Sequence, residues 1–148
     1  MNDFILEAKG VSRTYDEAGS PLVIFENISF QVRAGERIAI VGSSGSGKST
    51  FLNVVGGLDR ATQGDVIIMG EPVMHISEAK LASIRNQHIG FVYQFHHLLG
   101  EFSALENVAM PLLLAKQSVS DAQHRAKVLL DIVGLGELLF DVIDNKPV

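Results

Sequence analysis

What the chain lacks closes several classes of function at once. It has no cysteine, so neither a disulfide framework nor a thiolate metal site can form, and a reducing compartment fits. It has no basic excess. The net charge is −5, which argues against nucleic acid as a partner, because such binders carry a basic stripe. Apolar stretches such as VAMPLLLA fall far short of the ~18–20 residues that span a bilayer. Any work at a membrane would therefore need something else as anchor. The N-terminus, MNDFILEAKG, has no basic segment ahead of an apolar run, so no signal peptide is expected.

What is present suits one α/β domain. A chain of 148 residues has the size of a single domain and buries about 68–70% of its unfolded surface. Ile28, Phe30 and Val32 alternate with Asn27, Ser29 and Gln31, the period of a strand with one wet face. A similar mix opens the chain at Phe4, Ile5 and Leu6, and DEAGSP (16–21) reads as the intervening loop. These segments predict an antiparallel layer. RIAIV (37–41) and IGFVY (89–93) are continuously apolar and predict strands buried on both faces, as in a parallel sheet. VIIM (66–69) predicts a further strand.

The helical expectations follow from caps and spacing. Phe51, Leu52, Val54, Val55 and Leu58 predict a helix that weakens at Gly56 and Gly57. Ser77 caps a short helix through Ile84. Ser103 and Glu106 form a capping box ahead of Leu105, Val108, Ala109, Leu112 and Leu113, with Pro111 expected to kink the run. Ser120 and Gln123 form a second box, Ala122, Ala126, Leu129, Leu130 and Val133 the apolar face behind it, and Gly134 the stop.

The strongest chemical signal is GSSGSGKST, residues 42–50. Gly42, Gly47, Lys48 and Ser49 satisfy the phosphate-loop pattern. Its glycines let backbone N–H groups turn around an anion, and the following helix offers free N–H donors and a partial positive charge. Lys48 can reach the β- and γ-phosphates, and the Ser49 hydroxyl can ligate Mg²⁺. Other residues are weaker alone. Tyr15 could stack on a base or be a half-buried edge aromatic. Gln94 could meet Mg²⁺ or a water, or simply be solvated. His96 and His97 are adjacent, so their side chains diverge and chelate a metal poorly.

Taken together, Tyr15, GSSGSGKST and YQFHHLLGEFSALENVAMPLLL (93–114) resemble the nucleotide-binding subunit of an ABC transporter. The likeness is strongest to the lipoprotein-releasing and macrolide-export branch and covers roughly residues 1–135. It implies an α/β P-loop NTPase core with an antiparallel β layer and a helical subdomain: residues 1–94 as the nucleotide-binding core, 95–134 as the start of the helical subdomain, 135–148 as an atypical tail. It implies ATP and Mg²⁺ as ligands. Tyr15 becomes the adenine-stacking aromatic. Gly42, Ser43, Ser44, Gly45, Ser46, Gly47, Lys48, Ser49 and Thr50 become the Walker A loop. Gln94 becomes the glutamine that meets Mg²⁺ and the attacking water. Phe95 to Glu106 lies where family members meet membrane-spanning subunits. The implied location is the cytoplasmic face of a bacterial inner membrane.

The same resemblance exposes what hydrolysis would still need. No LSGGQ-like signature occurs after residue 100, nor a Walker B strand with its catalytic Glu, nor a switch His. LLFDVID (138–144) has apolar residues before Asp141, but Val142 follows it and not Glu. No complete catalytic set is therefore named, and nucleotide binding without turnover is expected of a chain truncated on its C-terminal side. The core strand RIAIV would lack its usual neighbour and show apolar surface, so that the chain self-associates or residues 138–142 substitute as a strand. Two rival readings stay open: a different P-loop enzyme such as a small kinase, and a non-catalytic fragment that docks a membrane partner through Phe95 to Glu106.

Overall fold

The computed structural model describes residues 3–17, 19–93 and 97–142. They form two compact units, one ending at Ile89 and the other starting at Gly90.

In the first unit the alternating segments pair as expected, but as longer strands. β1 (Phe4–Glu17) and β2 (Ser20–Arg33) form an antiparallel hairpin in which Glu17 opposes Ser20. The loop expected at 16–21 is thus mostly strand. Gly19, at φ +84°, provides the left-handed turn, and its N–H donates to Asp16 Oδ1 at 2.9 Å. β3 (Gln63–Ile68) pairs antiparallel with β1, and the short β4 (Glu71–Pro72) with β3, so the sheet order is β2-β1-β3-β4. Ile28, Phe30 and Val32 are more buried than their polar neighbours, as the period of two predicts.

Helix α1 (Lys48–Val55) and helix α2 (Glu78–His88) accompany this sheet. The core holds Ala8 and Val11 of β1, Val54 of α1, Val66 and Ile68 of β3, Val73, and Leu81 and Ile84 of α2. Each fully buried Val, Leu or Ile contributes about 1.5–3 kcal/mol, and Val54 ties α1 into this core. Phe51 fixes the orientation of α1 on β2, edge-on to Phe25 at 5.3 Å and tilted on Phe30 at 5.6 Å. Ser77 caps α2 by accepting from Lys80 N–H, and the helix runs four residues past the expected end at Ile84. Gly64 is a glycine of necessity: at φ +80° a Cβ would collide with the Gly10 carbonyl of the neighbouring strand.

The two continuously apolar segments are a correction. Neither 37–41 nor 89–93 carries strand pairing. Ile38 is 54% exposed, Val41 87% and Val92 101%. A strand of this kind is held by hydrogen-bonded neighbours on both sides, and among the described residues none is supplied. The expected apolar exposure of RIAIV is therefore observed.

In the second unit, α3 (Ala104–Leu114) and α4 (Val119–Ile132) pack through Ala109, Ala122 and Ala126. The Ser103–Glu106 capping box is present, and α3 continues past Pro111. The second cap is shifted. Ser118, not Ser120, caps α4, accepting from Asp121 N–H at 3.1 Å. That choice adds two residues to the start of the helix and puts Asp121, where a Ser120 cap would have put Gln123, at the third helical position, where the helix dipole favours negative charge. After α4 comes a 3₁₀ turn (Gly136–Leu138). Leu105 N–H donates to Leu139 O and Ala104 N–H to Asp141 O, and Ser103 opposes Val142 in a lone bridge. Residues 138–142 therefore form no substitute for a core strand; their backbone is bonded to the start of α3.

Candidate functional site

The loop from Gly42 to Gly47 leads directly into α1. Gly47 is the N-cap at φ +84°, in the left-handed region, and Gly45 lies there too at +78°. No side chain caps α1, and its first turn holds no acidic residue. The first helical carbonyl bond is made by Phe51 N–H to Gly47 O. The N–H groups of Lys48, Ser49 and Thr50 thus have no intrahelical acceptor, the usual condition of a first turn. An anion is the natural complement of such an end.

Close packing dictates the glycines. A Cβ on Gly47 would lie 2.6 Å from Ile24 Cγ2 and 3.3 Å from Ile24 O, and one on Gly42 would lie 2.8 Å from Ser46 Oγ. Lys48 Nζ donates to Gly42 O at 2.9 Å, to Ser43 O, and to Ser46 Oγ at 3.2 Å. The ammonium thus stands among the loop carbonyls, within the cradle it would share with a polyphosphate. Ser49 is exposed at the helix start. The donor set (three free N–H groups, one ammonium and one hydroxyl) fits a Mg²⁺-bound polyphosphate and would fit no cationic ligand.

Beside the loop lies a cavity of about 590 Å³, lined by Phe25, Phe30, Ile38, Ile40 and Phe51 and reaching Lys48. Its walls are largely apolar, so it belongs to the uncovered face of 37–41.

Tyr15 sits on β1, opposite Leu22. Leu22 is two residues from Ile24 on β2, about 7 Å along a strand, and Ile24 is the residue that abuts Gly47. The hairpin thus carries Tyr15 and the loop on one frame. The Tyr15 hydroxyl donates to Asp59 Oδ2 at 2.8 Å, and the Arg13 guanidinium lies 4.1 Å over its ring. Tyr15 is thus a partly exposed aromatic on an inner strand of the sheet, its ring held by these two contacts.

The remaining expected residues fall as follows. Gln94, Phe95 and His96 lie outside the described residues. His97 adopts φ +47°, and its ring meets Tyr93 edge-on at 5.0 Å. Among the described residues no cluster of His, Asp or Glu could hold a metal ion. From Leu99 to Ser103 the chain is pinned by Asn107. Its Nδ2 donates to Leu99 O, Phe102 O and Ser103 O at 3.0, 3.2 and 3.1 Å, and its Oδ1 accepts from Leu99 N–H at 2.9 Å. Sequence reading missed Asn107, Asp59 and Arg13. A lone Asn in the first turns of an otherwise apolar helix was a usable signal for the first. Nothing local marked the other two.

Among the described residues no helix is long and apolar enough to cross a membrane. Comparison with known proteins gives consistent answers. The chain is 54% identical, over 134 residues, to the "Lipoprotein-releasing system ATP-binding protein LolD" of Chromohalobacter salexigens, covering 90% of this chain and 56% of the relative. It thus spans little more than half the length of that protein. Among solved structures it is similar to the ATP-binding cassette MJ0796, in a dimeric post-hydrolysis state bound to ADP and Pi, with a TM-score of 0.85 and 33% identity over 97% of this chain and 63% of that one. A second dimeric structure of MJ0796, described as a bacterial ABC transporter cassette, matches equally well. The α/β cassette fold, with its antiparallel layer and helices, is therefore that of a P-loop ATPase. Residues 25–147 match the family model described as ABC transporter, and with the phosphate loop formed at the start of α1 the chain belongs to that family.

Proposed function

We propose that this chain is an ATP-binding subunit of an ABC transporter of the lipoprotein-releasing or export type. It binds Mg·ATP through Gly42 to Thr50 and, over these 148 residues, does not turn it over. The observation that carries the reading is the uncapped start of α1 with Lys48 Nζ among the loop carbonyls. The N–H groups of the loop and first turn hold the β- and γ-phosphates, Lys48 neutralises their charge, and Tyr15 receives the base. Ser49 and Gln94 would hold Mg²⁺, which supplies charge stabilisation when bound. The core is assigned to residues 1–94, the start of a helical subdomain to 95–134, and a tail to 135–148. Phe95 to Glu106 is the segment for membrane-spanning subunits, which would place the chain on the cytoplasmic face of the inner membrane. The identity to LolD supports lipoprotein release as the task.

The test is equilibrium binding of Mg·ATP to the chain and to Lys48→Ala, with ATP hydrolysis followed in parallel. Saturable binding that the variant loses, with turnover at background, is the expected result. A Mg²⁺-dependent turnover typical of an enzyme and abolished by Lys48→Ala would refute binding without hydrolysis. Absence of binding in both would refute the assignment of the loop.

A further inference from the structure

The carboxylate of Asp59 sits where it can aim the base-stacking residue from the far end of the phosphate-loop helix. Its Oδ2 accepts from the Tyr15 hydroxyl at 2.8 Å. Its Oδ1 accepts from Arg13 Nη2 at 2.9 Å and from the Arg60 N–H at 2.8 Å. The Arg13–Asp59 pair is largely covered, with 19% and 28% of the two side chains exposed, and Arg13 Nε is buried. Such a pair is not free to reorient. The guanidinium lies 4.1 Å over one face of the Tyr15 ring, within the range of a cation–π contact. Tyr15 is 37% exposed, and with Arg13 over one face of its ring a stacking ligand would have to take the other.

The path back to the loop is short. Leu58 N–H and Asp59 N–H both donate to Asn53 O, at 2.8 and 3.1 Å, and Asn53 lies in α1. One helix therefore begins at the phosphate cradle and ends by holding the carboxylate that fixes Tyr15. Without Asp59 the ring could turn about its side-chain bonds, and a base would have to order it on binding. Pre-ordering of this kind raises affinity by removing that entropy cost.

We propose that Asp59, with Arg13, is a positioning residue for the base end of the nucleotide site and acts through Tyr15. The proposal rests on the reading of Gly42 to Thr50 as a nucleotide loop. It concerns the base alone, so a ligand with phosphates and no base separates the two ideas.

Affinities for Mg·ATP and for Mg·tripolyphosphate are measured on the chain and on Asp59→Ala, Tyr15→Ala and the double variant. Asp59→Ala is expected to weaken Mg·ATP about three- to tenfold, a part of what base–aromatic stacking supplies, and to leave tripolyphosphate unchanged. In the Tyr15→Ala background Asp59→Ala is expected to add nothing. Tyr15→Phe, which removes only the hydroxyl, should reproduce the selective loss without deleting a carboxylate. Equal loss on both ligands, or a full Asp59 effect without Tyr15, would make Asp59 merely structural and overturn the proposal. Tripolyphosphate bound as tightly as ATP by the unaltered chain would overturn it while leaving the loop assignment intact. Binding of neither ligand would overturn both.

Discussion

Ile24 occupies the space that any side chain at Gly47 would need: a Cβ there would come within 2.6 Å of Ile24 Cγ2 and 3.3 Å of its carbonyl oxygen, at a φ of +84°. Strand β2 therefore shapes the phosphate loop by contact, and the glycine is required twice over. Gly47→Ala combines a left-handed non-glycine residue, which costs about 1–2 kcal/mol, with that clash. We expect loss of Mg·ATP and Mg·tripolyphosphate binding together, with a lowered unfolding midpoint. A Gly47→Ala variant that binds as the parent does would show that the loop is not read correctly.

The cap of α3 should titrate. Glu106 accepts from Ser103 N–H and Ser103 Oγ, both at 2.8 Å, and these bonds hold its carboxyl below the ordinary glutamate range. The folded state thus favours the carboxylate. Its contribution is complete above the ordinary range and is lost as pH falls through the lowered folded value. Denaturant titrations at neutral and acidic pH should show that Glu106→Gln flattens part of the acid-side decline. Ser103→Ala should cost about 0.5–2 kcal/mol at neutral pH. An unchanged pH profile in Glu106→Gln would remove the cap from the account.

Asn107 should govern the order of the segment before α3. Its amide makes four bonds to the backbone of Leu99, Phe102 and Ser103. Asn107→Ala leaves those groups without their partner, at about 1–3 kcal/mol. Faster amide exchange at Leu99 is the direct readout. Protection equal to the parent would show that other contacts hold the segment.

The uncovered segment 37–41 should drive self-association. Ile38, Ile40 and Val41 are 54%, 38% and 87% exposed, and each forfeits a share, in proportion to its exposure, of the about 1.5–3 kcal/mol that full burial contributes. Sedimentation velocity should show mass rising with concentration, and Ile38→Lys with Val41→Lys should reduce it. A concentration-independent monomer in the parent chain would contradict the expectation.

Local order carries the parts of this protein that its sequence determined by itself. The phosphate loop, the Ser103–Glu106 box, the Ser77 cap and the alternation along β2 all depend on residues a few positions apart, where chemistry and spacing suffice. Tertiary structure decided the rest. RIAIV has every local mark of a buried strand, yet a strand exists only with a hydrogen-bonded neighbour, and none pairs with it among the described residues. Ser118 rather than Ser120 caps α4, and its hydroxyl both accepts from Asp121 N–H and donates to the Asp121 carboxylate. Tyr15 meets Asp59 across 44 residues of chain, and only the packing of α1 on the β1–β2 hairpin brings the two within one hydrogen bond.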